Sequence, residues 1–97
     1  MKQVTAAELR DWIATGKDFL LVDVREVFER EQFNIGGIHI PMDELPARVG
    51  ELSTDQDIVL YCEKGIRSVI AIQRLEAKGY NNLYNLAGGM KVWKMQP

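Results

Sequence analysis

The chain has 97 residues, 46% of them hydrophobic and 27% charged, a size suited to one domain around one core. Twelve basic and fourteen acidic residues leave a formal charge of -2, and without a basic cluster or stripe no nucleic-acid partner is expected. No apolar run approaches the ~20 residues that span a bilayer, so no membrane partner is expected, and one cysteine cannot form an internal disulfide.

The opening stretch, MKQVTAAELRDW, turns polar too early for a secretory signal. A single cytoplasmic domain over residues 1–97 is therefore expected, either a free protein or a module of a longer one. Thr5 and Glu8 have the spacing of a capping box, in which hydroxyl and carboxylate cover the first free N–H groups of a helix. Ala6, Leu9 and Ile13 continue at helical spacing, and Gly16 is a stop. Residues 19–22, FLLV, form a short apolar run that suits a strand covered on both faces. Residues 27–32 predict a turn or two of helix, and residues 38–40 a short strand stopped by Pro41. A short helix is expected over 46–52 and a second strong strand, IVLY, over 58–61. Residues 68–78 carry Val69, Ile72 and Leu75 on one helical face, and Gly79 ends it. Residues 82–84 read as a last strand and 90–94 as a last helical turn.

Strands alternating with helices predict an α/β fold with a parallel sheet and helices on both faces. Parallel strands all finish at one edge, and ligands bind beyond that edge. Asp23 and Cys62 each follow a strand, and Gly88 and Gly89 lie shortly after another. These residues are expected to meet around the thiol.

Residues 62–67, CEKGIR, run from a strand end towards the helix that follows. Such a loop can turn its N–H groups inward as an anion-binding nest, with Gly65 adopting the backbone geometry this needs. Ser68 is expected to cap the helix, whose positive end, with Lys64 and Arg67, favours a thiolate; Glu63 opposes it. A lone cysteine in a small domain is usually a packing residue. Its place at the strand end, ahead of a glycine loop and a helix, outweighs that reading. Four residues separate Cys62 from Arg67, and Tyr61 precedes the thiol. A cysteine phosphatase loop usually has five, often after histidine; the smaller ring suits one sulfur atom better than a tetrahedral oxyanion.

Three segments resemble the rhodanese family of sulfurtransferases: LVDVRE at 21–26, CEKGIRS at 62–68 and LAGGMKVW at 86–93. Their order and spacing account for nearly the whole chain. The resemblance implies a small parallel five-stranded sheet flanked by helices. It implies a catalytic Cys62 that carries a persulfide, held by a loop of Glu63, Lys64, Gly65, Ile66, Arg67 and Ser68. The implied reaction moves a sulfane sulfur from thiosulfate or a persulfide to a thiol or cyanide, without cofactor or metal. A protein can act as sulfur donor or acceptor. The alternatives are a non-enzymatic or sulfur-carrier module working with a protein partner, and a small-loop phosphatase or arsenate reductase. The chain departs from many relatives in having FNIGG at 33–37, where they have a histidine, and Glu63 where a basic residue is frequent.

Other polar residues carry quieter expectations. Asp23 is read either as bracing the loop by accepting N–H bonds or as capping the next helical segment. Arg25 and Glu26 are read as a structural ion-pair element, and Glu26, Glu29, Arg30 and Glu31 as a solvated helix face. His39, between two isoleucines, is read as structural or surface rather than as a base, and has no metal-ligand partners at suitable spacing. Trp12, Trp93, Met90 and Met95 are read as packing residues, and Gly88 and Gly89 as a tight turn near the loop.

Overall fold

The structure, a computed structural model, describes residues 1–95. Five strands form one parallel sheet in the order β1-β5-β4-β2-β3. They are β1 (Lys2–Val4), β2 (Phe19–Asp23), β3 (Ile38–His39), β4 (Asp57–Tyr61) and β5 (Leu83–Leu86). The helices are α1 (Ala6–Thr15), α2 (Val27–Gln32), α3 (Leu45–Arg48), α4 (Arg67–Glu76) and α5 (Gly89–Met95). Single 3-10 turns flank α3 on both sides, in place of the continuous short helix expected over 46–52.

The sheet has helices on both faces because its central strands are apolar on both. Side chains alternate across a strand, so Ile58, Leu60 and Cys62 face one layer and Val59 and Tyr61 the other. The first set packs with Leu45, Ala71, Ile72 and Leu75 of α3 and α4. The second packs with Ala6 and Leu9 of α1 and Met90 and Trp93 of α5. Burying each such aliphatic side chain contributes ~1.5–3 kcal/mol. α2 buries no residue fully. The edge strands β1 and β3 are the shortest, three and two residues long, which limits the backbone they leave open.

Several local expectations need correction. Met95, expected to pack, is 74% exposed on the outer side of α5, while Ile13 lies in α1 as its spacing suggests, on the exposed side. α4 begins at Arg67 with Ile66 before it, so Ser68 lies within the first turn and does not cap it. β5 runs to Leu86, which brings Asn85 into the sheet opposite Leu60. Among the described residues, no helix is long and apolar enough to cross a membrane.

Candidate active site

β4 ends at Tyr61 and delivers Cys62 to the carboxyl edge of the sheet, where register sets Asp23 beside Tyr61. The Gly65 N–H donates to Cys62 Sγ at 3.1 Å and the Ser68 N–H at 3.4 Å. Ser68 Oγ lies 3.3 Å from the same sulfur. The Ser68 hydroxyl donates to Asn85 Oδ1, and the Asn85 amide donates to the Gly65 carbonyl at 3.4 Å. Leu60, Cys62 and Asn85 share one face of the sheet through the β4–β5 register, which is why an asparagine one strand away supports this loop.

The loop is also held from beneath. The Met90 N–H donates to the Cys62 carbonyl at 2.9 Å and the Lys91 N–H to the Glu63 carbonyl at 2.8 Å. The first turn of α5 thus takes two loop carbonyls, while the Gly65 and Ser68 amides face the sulfur. Gly89, at φ +61°, allows this approach: a Cβ there would meet the Glu63 oxygen and the Gly65 nitrogen at 2.7 Å, and the Cys62 oxygen as well. Gly65 has φ +81°, as the loop chemistry requires, and a Cβ on it would press on Gly88 N at 3.0 Å. The pair Gly88–Gly89 therefore shapes the loop directly.

A cleft of about 380 Å³ reaches Cys62 and is lined by Glu29, Cys62, Glu63, Lys64, Ile66 and Arg67. Cys62 itself is only 1% exposed, at the foot of this cleft. Arg67 does not stand free. Its two terminal nitrogens donate to both Glu29 carboxylate oxygens at 2.7 Å each. The Arg67 guanidinium, against some opposing burial, holds the Glu29 carboxyl down to about 2, and Glu29 in turn raises Arg67. Glu63 pairs with Arg25 at 3.4 Å and with Lys94 at 3.7 Å. Lys64 is exposed and, among the described residues, is in no ion pair.

Beside the loop lies a buried charge network. Asp23 is fully buried and accepts from the Arg25 N–H, from Arg25 Nε and Nη2, each at 3.0 Å, and from Arg30 Nη1 at 3.3 Å. Burial works to lower the Arg25 guanidinium, but Asp23 outweighs it and raises it. Arg25 continues to the Phe33 carbonyl at 2.6 Å. Asp23 accordingly accepts nothing from the amides of residues 62–68. Its connection to the loop runs through Arg25 to Glu63. The ion-pair reading of Arg25 agrees with this geometry, whereas Glu26 stays exposed.

The solvated-face reading of residues 26–31 fails for Glu29 and Arg30, both partly buried and paired, because α2 turns them towards α4 and Asp23. His39 Nε2 bonds the Arg25 carbonyl at 2.7 Å, a structural contact. Tyr61 donates its hydroxyl to the Gly36 carbonyl at 3.0 Å, and burial pushes its pKa up to about 12. Trp93 and Met90 are buried and Trp12 packs edge-on against Phe19 and Tyr84. Among the described residues, no group of three or more His, Cys, Asp and Glu side chains is placed to hold a metal ion. Glu29 and Asn85 are the site residues that sequence reasoning missed. For Asn85 the signal was a polar residue at an inward position between Leu83 and Leu86.

Comparison with known proteins gives a consistent result. Residues 5–96 match the family described as Rhodanese-like domain. A protein named Sulfurtransferase from Allochromatium vinosum is 35% identical over 94 residues, covering 96% of this chain and 88% of its own length. The crystal structure of a Rhodanese-like Domain Protein from Staphylococcus aureus superposes with a TM-score of 0.89 at 32% identity, covering 96% of this chain and 91% of that one. The human single-domain sulfurtransferase TSTD1 gives a TM-score of 0.86 at 26% identity, covering 100% and 98%. Some relatives are longer, and this chain spans only 25% of one of them.

Proposed function

Since the chain belongs to the rhodanese-like domain family and is a rhodanese-type sulfurtransferase, we propose that Cys62 carries the transferred sulfur as a persulfide. The thiolate attacks the outer sulfur of a donor, either thiosulfate or a persulfide, small or protein-bound. With thiosulfate the S–S bond of the donor breaks, sulfite leaves with the electron pair, and Cys62–S–S⁻ remains. A thiol, a partner's thiol or cyanide then attacks the terminal sulfur and regenerates the thiolate. No external oxidant or reductant is needed for the transfer itself.

One observation carries this reading: the Gly65 and Ser68 N–H groups converge on Cys62 Sγ at the foot of a cleft. Fixed donors stabilise negative charge without reorganising, as an oxyanion hole does for oxygen. Lys64 at the rim, in no ion pair among the described residues, supplies a cation to draw in an anionic donor. The Glu29–Arg67 pair weighs against a phosphatase or arsenate reductase, since it leaves no free guanidinium to grip a tetrahedral oxyanion.

Steady-state kinetics test the proposal. Varying donor and acceptor should give the parallel double-reciprocal lines of a ping-pong mechanism. Cys62→Ser should lose transfer while unfolding at nearly the same urea concentration as the parent. Intersecting lines, or a serine variant that still transfers sulfur, would refute the covalent route.

A further inference from the structure

Four charged side chains line the cleft, and their pairing decides what charge a donor meets. Glu29 forks onto Arg67 with two 2.7 Å contacts. Its Oε1 also accepts the Glu26 N–H at 2.9 Å, which ties the carboxylate to the start of α2. The Glu29 side chain is 16% exposed and that of Arg67 37%. Fork-to-fork pairs of this kind add directional hydrogen bonds to charge attraction. Partial shielding from water also keeps salt from weakening them as it weakens surface pairs. A guanidinium held in this way offers little net positive field to an incoming anion.

The remaining charges do not compensate. Glu63 is countered by Arg25 and Lys94. Lys64 remains as one exposed cation of the cleft wall. Among the described residues, Lys64 is then the one cation of the cleft wall outside an ion pair that a dianion meets while approaching a thiolate of its own sign. A donor carrying at most one negative charge meets less of that repulsion.

From this pairing, and resting on the persulfide reading above, we infer that Glu29 sets the donor preference by withholding Arg67 from the substrate. The clamp favours a persulfide of an uncharged small thiol over the thiosulfate dianion. In the favoured step the Cys62 thiolate attacks the outer sulfur of R–S–SH. A bond forms between the two sulfurs, the donor S–S bond breaks, and R–S⁻ leaves with the electron pair, giving Cys62–S–SH. Glu29 acts through Arg67 and is a positioning residue.

The experiment compares kcat/KM for thiosulfate and for hydroxyethyl persulfide in the parent protein and in Glu29→Gln. Freeing Arg67 should move the thiosulfate-to-persulfide ratio about tenfold towards thiosulfate, chiefly through KM. Damage to the fold would lower both rates and leave the ratio in place. Adding Arg67→Gln to the variant should abolish the gain. Should Glu29→Gln not fold, Glu29→Asp, too short to keep the fork, should shift the ratio in the same direction. A ratio unmoved by the substitution, with Cys62 still loading sulfur, overturns the role of Glu29 alone. Failure of both donors to load sulfur on the parent protein overturns the persulfide reading and this inference with it.

Discussion

Proton binding at Glu29 shows how a single ion pair at the site bears on the molecule's behaviour in acid. Held at about 2 by Arg67 in the folded chain, against an ordinary 4.5, this carboxylate binds a proton more readily once the chain unfolds. Its contribution to stability is therefore complete above about 4.5 and disappears as pH falls towards about 2. Urea midpoints measured across that window should fall more steeply for the parent than for Glu29→Gln; parallel profiles would contradict the pairing. At this scale Cys62 and the Gly65 and Ser68 amides around it were legible, and the side chains that hold the loop from outside, Glu29 and Asn85, were not. Cys62 announces itself by standing at a strand end before Gly65. Glu29 sits among Glu26, Arg30 and Glu31, and a run of charges reads as a wet surface until the direction α2 faces is known. Asp23 was legible as a residue of the sheet edge, but its partner Arg25, 1% exposed, was decided by packing around two buried charges.

Elements carry the loop more than any one side chain does. α5 donates two N–H groups to the loop carbonyls, and Gly89 lets its backbone come close enough to do so. Gly89→Ala would set a Cβ against Glu63 and Gly65 at a backbone angle disfavoured for alanine. We expect a loss of ~1–3 kcal/mol in stability and about a hundredfold in kcat/KM, since misplacing reacting groups by an ångström has that effect. Urea unfolding and donor kinetics would show both, and a variant with parental values would disprove the role given to α5. The Thr5–Glu8 capping box was legible and is present, with bonds of 3.1 and 2.9 Å. β1 was not, because Lys2 and Gln3 have no apolar alternation and only Val4 is buried. Its pairing with β5 is a long-range choice that no local pattern contains. The start of α4 was misplaced for a related reason: Ser68 is a good cap by type, but its hydroxyl is drawn to Asn85 and the sulfur.

For the whole molecule, the sheet explains why so short a chain can build a site. The radius of gyration is 12.3 Å, close to the ~12.5 Å expected of a compact domain of this length. Within that volume, parallel strands bring residues 23, 62 and 88–89 to one edge although the chain separates them widely. Continuous apolar runs, alternating with helical segments, were enough to foresee this edge, since such runs report burial on both faces of a sheet. The charges around the cleft were beyond their reach, since ion pairing depends on how helices at the edge rotate towards one another. Intact-mass spectrometry of the protein after brief exposure to hydroxyethyl persulfide, followed by peptide mapping, addresses the proposed chemistry at its source. The account predicts the added mass of one sulfur atom, located on Cys62 and removed by cyanide. A protein that gains no sulfur, or gains it at another residue, would contradict it.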